Sequence, residues 1–144
     1  MVEIRRAVHD DAHRVAELAS DLGYTISPGS VGTAIDRLSS EDGALFVADT
    51  GSGLIGWIHI YRTHVVQTEP FASVGGLVVD PLRRGTGVGR RLLEAAEQWA
   101  SAGGLGTIRV RSNIVRSYAH QFYERSGFAV EKTSYTFIKH LNDA

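Results

Sequence analysis

Three glycines at alternate positions separate an apolar run from a helix-like pattern in the segment VVDPLRRGTGVGRRLLEAAEQWA, residues 78–100. Glycine lets the main chain approach a ligand closely, and backbone N–H groups at the start of a helix attract anions. Arginines flank these glycines, and their charge suits a polyphosphate. The pattern predicts a phosphate-binding turn; its alternative is a tight strand-to-helix turn with solvated arginines. The glycines are Gly85, Gly87 and Gly89, and the arginines are Arg83, Arg84, Arg90 and Arg91.

The spacing of this segment excludes two common nucleotide-binding loops. Its G-x-G-x-G order differs from the G-x-G-x-x-G of dinucleotide-binding folds, and no Lys-Ser or Lys-Thr pair follows as in a P-loop. Both observations count against an unrelated α/β nucleotide-binding domain, which stays as one alternative.

Four predicted helices and several strands would position the glycine segment. The helices run from a cap at Asp10 or Asp11 to Gly23, from Pro28 to about Ser40, from the glycine segment to about Ala102, and over residues 115–127. The strands are residues 2–7, a hairpin of two strands within 44–65, 71–80 with a bulge or close approach at Gly75 and Gly76, 106–112, and one or two strands within 128–141. The alternation predicts one mixed sheet with helices on both faces.

Composition limits the class of protein. The chain of 144 residues has the size of one domain, residues 1–144, and 43% hydrophobic residues can bury a full core. A net charge of −1 gives no general footprint for nucleic acid or a membrane surface. The sequence has no cysteine, no secretory segment at its start and no apolar run of membrane-spanning length, so we expect a soluble, cytoplasmic protein.

Two segments resemble the coenzyme motifs of the GNAT superfamily of acetyl-CoA-dependent N-acetyltransferases. VDPLRRGTGVGRRLL resembles the first motif, which has the pattern [Arg/Gln]-x-x-Gly-x-[Gly/Ala]. The three defined positions of this pattern correspond to Arg84, Gly87 and Gly89. SNIVRSYAHQFYERSGF, Ser112–Phe128, is similar to the second, in which an Asn ends a strand and F-Y-x-x-x-G-F closes the next helix. The resemblance extends over essentially the whole chain.

The resemblance implies an α/β (α+β) fold: a central mixed, mostly antiparallel sheet of six or seven strands with helices on both faces. It implies an acyltransferase that moves an acetyl group from acetyl-CoA to a primary amine by direct attack in one ternary complex, without a metal. It also implies a homodimer. The alternative within this family is a catalytically weak CoA-binding sensor or partner module.

The resemblance also assigns residues to the coenzyme. Tyr123 would protonate the leaving thiolate, since a phenol with a pKa of about 10 stays protonated at neutral pH; the alternative is an ordinary helix aromatic. Asn113 would bond the pantetheine arm or cap the following helix. A backbone N–H near Leu77 or Val78 would stabilise the oxyanion. The full coenzyme set is Leu77, Val78, Val79, Arg84, Gly85, Thr86, Gly87, Val88, Gly89, Arg90, Asn113 and Tyr123.

The general base and the acceptor site follow less directly from the sequence. Many relatives carry a Glu on the strand before the coenzyme loop, but residues 72–76 read ASVGG. Glu69, His59 and His64 are the substitutes, and each also fits an ordinary surface or strand residue. The loop from Tyr24 to Ser30 would form the acceptor rim. The predicted acceptor-binding residues are Tyr24, His59, Tyr61 and Glu69.

Overall fold

Five strands form one mixed sheet in the computed structural model, which describes residues 1–38, 41–112 and 117–141. They lie side by side in chain order; β1 to β4 pair antiparallel, and β5 is parallel to β4. The mixed, mostly antiparallel sheet predicted from the sequence is therefore confirmed. The bounds are β1 Glu3–Arg6, β2 Gly43–Asp49, β3 Leu54–Thr63, β4 Phe71–Val79 and β5 Ile108–Val110.

Four helices lie where the sequence predicts them. The Ser27 hydroxyl caps α2 by accepting from the Ser30 N–H, and Pro28 occupies its first turn as predicted. This helix ends at Arg37 and not near Ser40, because the backbone of Leu38 is extended. None of the helices in the described ranges has the length and hydropathy that crossing a membrane requires. The bounds are α1 Ala12–Ser20, α2 Pro28–Arg37, α3 Val88–Ala102 and α4 Ser117–Arg125.

The chain divides into two compact units, Met1–Arg111 and Ser112–Ala144. The sheet and α1 to α3 belong to the first unit, and α4 belongs to the second. The single domain over residues 1–144 stays a prediction.

Helices cover both faces of the sheet in the first unit, as predicted. Successive residues of a strand point to opposite faces. Trp57 on β3 packs on the core cluster that contains Val15 and Leu18 of α1 and Val31 of α2. Its neighbour Gly56 faces the other way, where an added Cβ would lie 3.1 Å from the side chain of Leu92 on α3. Since α3 also contacts β2, β3 and β4, two layers of helices enclose the sheet.

The sequence-based strand count of six or seven is wrong for the described residues, which contain five strands. The missing strands were expected within residues 128–141, where the structure has neither helix nor strand up to residue 140. A strand needs a partner for its backbone groups, and alternation of apolar residues does not supply one. The apolar side chains here are exposed, with Tyr135 at 91% and Phe137 at 92%.

Asp11 has a different role from the helix cap that the sequence suggests. Its carboxylate accepts hydrogen bonds from the Arg5 guanidinium at 2.8 and 3.0 Å and from the Val8 N–H at 2.8 Å, and it makes no side-chain cap bond to α1. The bonds from Arg5 hold the pKa of Asp11 below its usual range. Arg5 also reaches Asp49 on β2 at 3.1 Å, so the ion pairs join β1, β2 and the start of α1.

His9 and Asp36 connect the start of α1 to α2. The His9 Nδ1 lies 3.0 Å from the Asp36 carboxylate, and the ring lies over Gly32, where an added Cβ would come within 2.9 Å of it. The hydrogen bond to Asp36 raises the pKa of His9.

We expect His9→Gln to lower the free energy of unfolding in acidic solution and to change it little in alkaline solution. Because the pKa of His9 is raised in the folded protein, its contact with Asp36 stabilises the folded state. This stabilisation is fully present at pH values below the pKa of histidine in the unfolded state, about 6.5. That stabilisation is lost as the pH rises through the higher folded pKa. Urea unfolding in a double-mutant cycle with Asp36→Asn, at about pH 5.5 and about pH 9, measures the coupling. Equal coupling at both pH values would contradict the prediction.

Candidate active site

The turn between β4 and α3 is anchored by Asp80. The Asp80 N–H donates to the Ile55 carbonyl of β3 at 2.8 Å, and its carboxylate accepts from the Leu82 N–H at 3.0 Å. The second bond caps the short 3-10 turn Pro81–Arg83. The Arg14 guanidinium of α1 approaches the same carboxylate at 3.5 Å. The start of the glycine segment is therefore fixed to both β3 and α1.

Gly85 and Gly87 give the turn the shape that an anion site needs. Their φ angles are +81° and +87°, in the left-handed region that favours glycine, and no atom lies within 4 Å of where a Cβ would stand. Gly87 is the N-cap of α3 and has no side chain to cap it, while its carbonyl accepts from the Arg91 N–H. The N–H groups of residues 88–90 have no acceptor within the helix, so an anion fits here.

The flanking arginines and Thr86 are held by the chain in different ways. The Arg91 guanidinium donates to the Val2 carbonyl at 2.8 Å and so joins α3 to the start of the chain. Arg90 lies 3.6 Å from Glu94 one turn along α3, and both side chains are more than half exposed. The Thr86 hydroxyl donates to the carbonyl of Arg83 and closes the turn. Arg91 thus has a structural contact, whereas Arg90 keeps a weak surface pair that an anion can replace.

The pairing of β4 with β5 ends just before the glycine pair. Among the described residues, only 72–74 of β4 have partners on β5, residues 108–110, so the pairing of the two strands ends at Val74. The register of β3 against β4 shifts between His59 and Ile60, and this leaves Gly75 as the extra residue of a bulge. The predicted bulge is confirmed.

The bulge determines which way the last β4 backbone groups point. N–H groups alternate between the two sides of a strand. The Asp80 N–H points toward β3, where it bonds Ile55. The Val78 N–H therefore also points toward β3. The N–H groups of Leu77 and Val79 point to the opposite side, where no strand among the described residues pairs with this part of β4. Leu77 is the better placed of the two predicted oxyanion donors.

Three aromatic side chains follow one face of β3 beside this bulge. The rings of His59 and Tyr61 stack with centroids 5.1 Å apart. A Cβ on Gly75 would lie 2.5 Å from the His59 Nδ1, and one on Gly76 would lie 2.9 Å from the Trp57 ring. Burial lowers the pKa of His59. The His59 and Trp57 rings therefore pack against the backbone of Gly75 and Gly76.

The other predicted acceptor residues lie in connecting segments. Glu69 and His64 are exposed in residues 64–70 between β3 and β4, and the Thr68 hydroxyl donates to the Glu69 carbonyl at 3.0 Å. Tyr24 is 53% exposed in the connection between α1 and α2. Within the described ranges the structure brings His59 and Tyr61 together but gives no side-chain contact that joins Tyr24 or Glu69 to them.

Tyr123 lies on α4 in the second unit. Its ring packs edge-on against those of Phe122 and Phe128, with centroids 5.3 and 5.6 Å apart. The Phe128 N–H donates to the Tyr123 carbonyl and so ends the helix. Asn113, predicted to contact the coenzyme, lies outside the described residues.

Sequence reasoning missed Asp80 and Arg14. An Asp directly before a Pro is typical of a cap at the start of a turn, so the sequence carried a signal for Asp80. Arg14 carried none, because the partners that attach it to β3 and to the turn, Leu54 and Asp80, lie 40 and 66 residues away in the chain.

Comparison with known proteins gives consistent matches over most of the chain. The model of the acetyltransferase (GNAT) family matches residues 8–128. The aminoglycoside N(6')-acetyltransferase type 1 of Stenotrophomonas maltophilia is 27% identical over 130 residues, which cover 87% of this chain and 84% of that protein. The uncharacterized N-acetyltransferase YhdJ of Bacillus subtilis (strain 168) is 39% identical over 67 residues, 46% of each chain, so that match spans about half its length.

The fold has a solved counterpart. The structure of AAC(6')-Iy in complex with the bisubstrate analog CoA-S-monomethyl-acetylneamine superposes with a TM-score of 0.84, covering 97% of this chain and 99% of that one. At 16% sequence identity, this likeness shows the fold alone.

We expect Gly87→Ala to weaken CoA binding about tenfold or more, since a Cβ at this position projects into the space where phosphate must approach the backbone. The change also strains a left-handed residue by roughly 1–2 kcal/mol. Gly104→Ala is the matched control, because Gly104 has φ +77° and open space at the other end of α3. Calorimetric titration with CoA should show a loss for Gly87→Ala only, while thermal unfolding shows similar destabilisation of both. Equal CoA affinities of the two variants would refute this assignment of the turn.

Proposed function

The chain belongs to the acetyltransferase (GNAT) family, and from this premise we propose that it transfers the acetyl group of acetyl-CoA to a primary amine by direct attack in one ternary complex. One observation carries the proposal. The start of α3, which has no side-chain cap, follows left-handed Gly85 and Gly87 and a strand whose last residues pair with β3 but not, among the described residues, with β5. An anion-binding turn and an open strand edge are together what a long phosphorylated thioester needs.

The coenzyme pyrophosphate would bind the backbone from Arg84 to Arg90. The N–H groups of residues 88–90 donate to its oxygens, and the α3 dipole favours its charge. Arg84 and Arg90 add charge at the two ends of this stretch. Thr86 holds the turn closed through its bond to Arg83, and Asn113 would hold the pantetheine arm.

The edge of β4 would bind the arm and the acetyl group. The N–H groups of Leu77 and Val79 point away from β3, as a ligand lying along this edge requires. When bound, the coenzyme supplies an activated acetyl thioester. The Leu77 N–H donates to the acetyl oxygen as negative charge develops there, and Val78 keeps that donor in place by pairing with Trp57 on β3.

Tyr123 would supply the proton that the departing sulfur needs. Its hydroxyl stays protonated at neutral pH and can donate to a thiolate. The Phe122 and Phe128 rings pack edge-on against the tyrosine ring and restrict its position on α4.

The acceptor is an amine, and Tyr24, Tyr61 and Glu69 would border its site. The related enzyme of S. maltophilia is named for aminoglycosides, so an aminoglycoside amino group is one member of the class to test. A CoA-binding module without catalysis is the second candidate, since residues 72–76 lack a carboxylate. We also propose a homodimer in the cytoplasm. Light scattering that gives the mass of one chain would reject the dimer.

Release of free thiol from acetyl-CoA in the presence of a pooled amine library tests the function. We expect release with at least one amine and mass-spectrometric detection of the acetylated amine. Tight binding of CoA with no acetylated product from any pool would favour the binding module. Tight binding of ATP without binding of CoA would reject both candidates.

Tyr123→Phe should lower kcat by about 10²–10⁴-fold and leave the Kd for CoA unchanged. The variant keeps the ring and loses only the hydroxyl, whose effect falls on the transition state. Tyr118→Phe is a matched control on the same helix, since Tyr118 is 58% exposed, and it should keep the wild-type kcat. An unchanged kcat for Tyr123→Phe, with chemistry limiting the rate, would make Tyr123 a structural aromatic. A parallel loss of CoA affinity would make it a binding residue.

A further inference from the structure

His59 lies at the point where β4 leaves β5. It pairs with Gly76, the residue next to Leu77. The neighbouring pair is Ile60 with Val74, so the bulge at Gly75 lies between these two pairs. Consecutive Cα atoms are about 3.8 Å apart, so the His59 backbone lies opposite the start of the open strand edge. The side chain stands on the sheet face away from α3, the same face as Trp57 and Tyr61.

The first glycine of the β4 pair, Gly75, is explained by this histidine. Gly75 is exposed and its φ angle is not in the left-handed region, so neither core packing nor backbone conformation requires a glycine there. A Cβ on Gly75 would, however, lie 2.5 Å from the His59 Nδ1, closer than any real contact. The bare backbone lets the imidazole lie directly against β4, two residues before Leu77.

The imidazole is available to take up a proton. No side chain or backbone group within the described ranges gives the ring nitrogens of His59 a hydrogen bond, and burial lowers the pKa of His59, so the ring is neutral at neutral pH. The residues beside His59 are not bases that would take the proton in its place. Leu45 of β2 is paired with His59, Gly75 and Gly76 of β4 lie next to it, and Tyr61 of β3 stacks on its ring. Burial is the one cause of the shift, and no charged group of the described residues contributes to it.

We propose that His59 is the proton acceptor of the reaction, taking the proton that the acceptor nitrogen loses as it becomes an amide; this inference rests on the proposed acetyl transfer. The nitrogen lone pair forms the new C–N bond, the nitrogen becomes positively charged, and one of its protons passes to a ring nitrogen of His59. The C–S bond breaks, and the sulfur takes the Tyr123 hydroxyl proton. Bonding to the acetyl carbon makes the nitrogen more acidic than a free ammonium ion, so a weakly basic imidazole is sufficient.

The two rival bases are less well placed. Glu69 and His64 lie in the exposed connection of residues 64–70, and the structure gives neither side chain a contact with β4 within the described ranges. His59 alone of the three lies against the strand that carries the oxyanion donor.

The pH dependence of kcat/KM for His59→Gln tests the proposal. For the wild type we expect a rise through an inflection below about pH 6.5 as the imidazole loses its proton. His59→Gln keeps the size and polarity of the side chain, should lower kcat by about 10²-fold or more and should lack the inflection. His13→Gln is the control, because His13 is an exposed histidine of α1, and it should keep the wild-type profile. Persistence of the inflection in His59→Gln, or its loss in His64→Gln or Glu69→Gln, would overturn the proposal.

Two further measurements separate the possible failures. The Kd of His59→Gln for CoA, measured by calorimetry, should equal the wild-type value, since His59 is assigned to the acceptor side. An NMR titration of the 15N-labelled wild-type protein should give a His59 pKa below the usual value, and a ring that is protonated at neutral pH would overturn the inference even if the variant does not fold. A wild type that acetylates no amine would refute the proposed function and this inference with it. An active wild type with an unchanged His59→Gln would refute this inference alone.

Discussion

The end of β4–β5 pairing at Val74 and Val110 is the constraint on which the candidate site depends. Up to that pair, β4 bonds both neighbouring strands; after it, β3 is the one strand among the described residues that pairs with β4. The bulge at Gly75 comes at the same point, because an extra residue locally disrupts a ladder and increases its twist. At this one point of β4, backbone N–H groups are left without a neighbouring strand of the described residues on one side, and Gly75 and Gly76 lie beside the His59 and Trp57 rings of β3.

The glycine turn depends on the same strand for its position. Asp80 continues β4 by bonding Ile55 of β3, and its carboxylate then starts the turn that leads to α3. Arg14 reaches this carboxylate from α1 and also donates to the Leu54 carbonyl at 3.1 Å. The glycine turn and the unpaired edge of β4 are therefore both attached to β3, which is the arrangement that the proposed binding of one long ligand requires.

Prediction from the sequence succeeded for elements whose pattern is local. It failed where the structure depends on a partner from elsewhere in the chain, such as a pairing strand or an oppositely charged side chain. The amphipathic spacing of α1 and α3 and the alternation of β2 to β4 identified these elements, since each pattern is repeated over several turns or pleats. Residues 128–141 carry a similar alternation, but no strand is paired there among the described residues, so the pattern alone was misleading. The cap of α1 was predicted at Asp10 or Asp11; Asp11 occupies the N-cap position, but its carboxylate bonds the Arg5 guanidinium instead of the helix.

The sequence by itself predicted the glycine turn, because glycine is the residue that adopts the left-handed conformation of Gly85 and Gly87 without steric cost. It also determined, through the absence of cysteine, that no cysteine side chain of this sequence acts as a nucleophile. Only the tertiary structure decided that His59, and not Glu69, lies against the backbone of Gly75. The reason is strand register: a shift of one residue between β3 and β4 moves every side chain to the opposite face, and no property of a single residue encodes that choice.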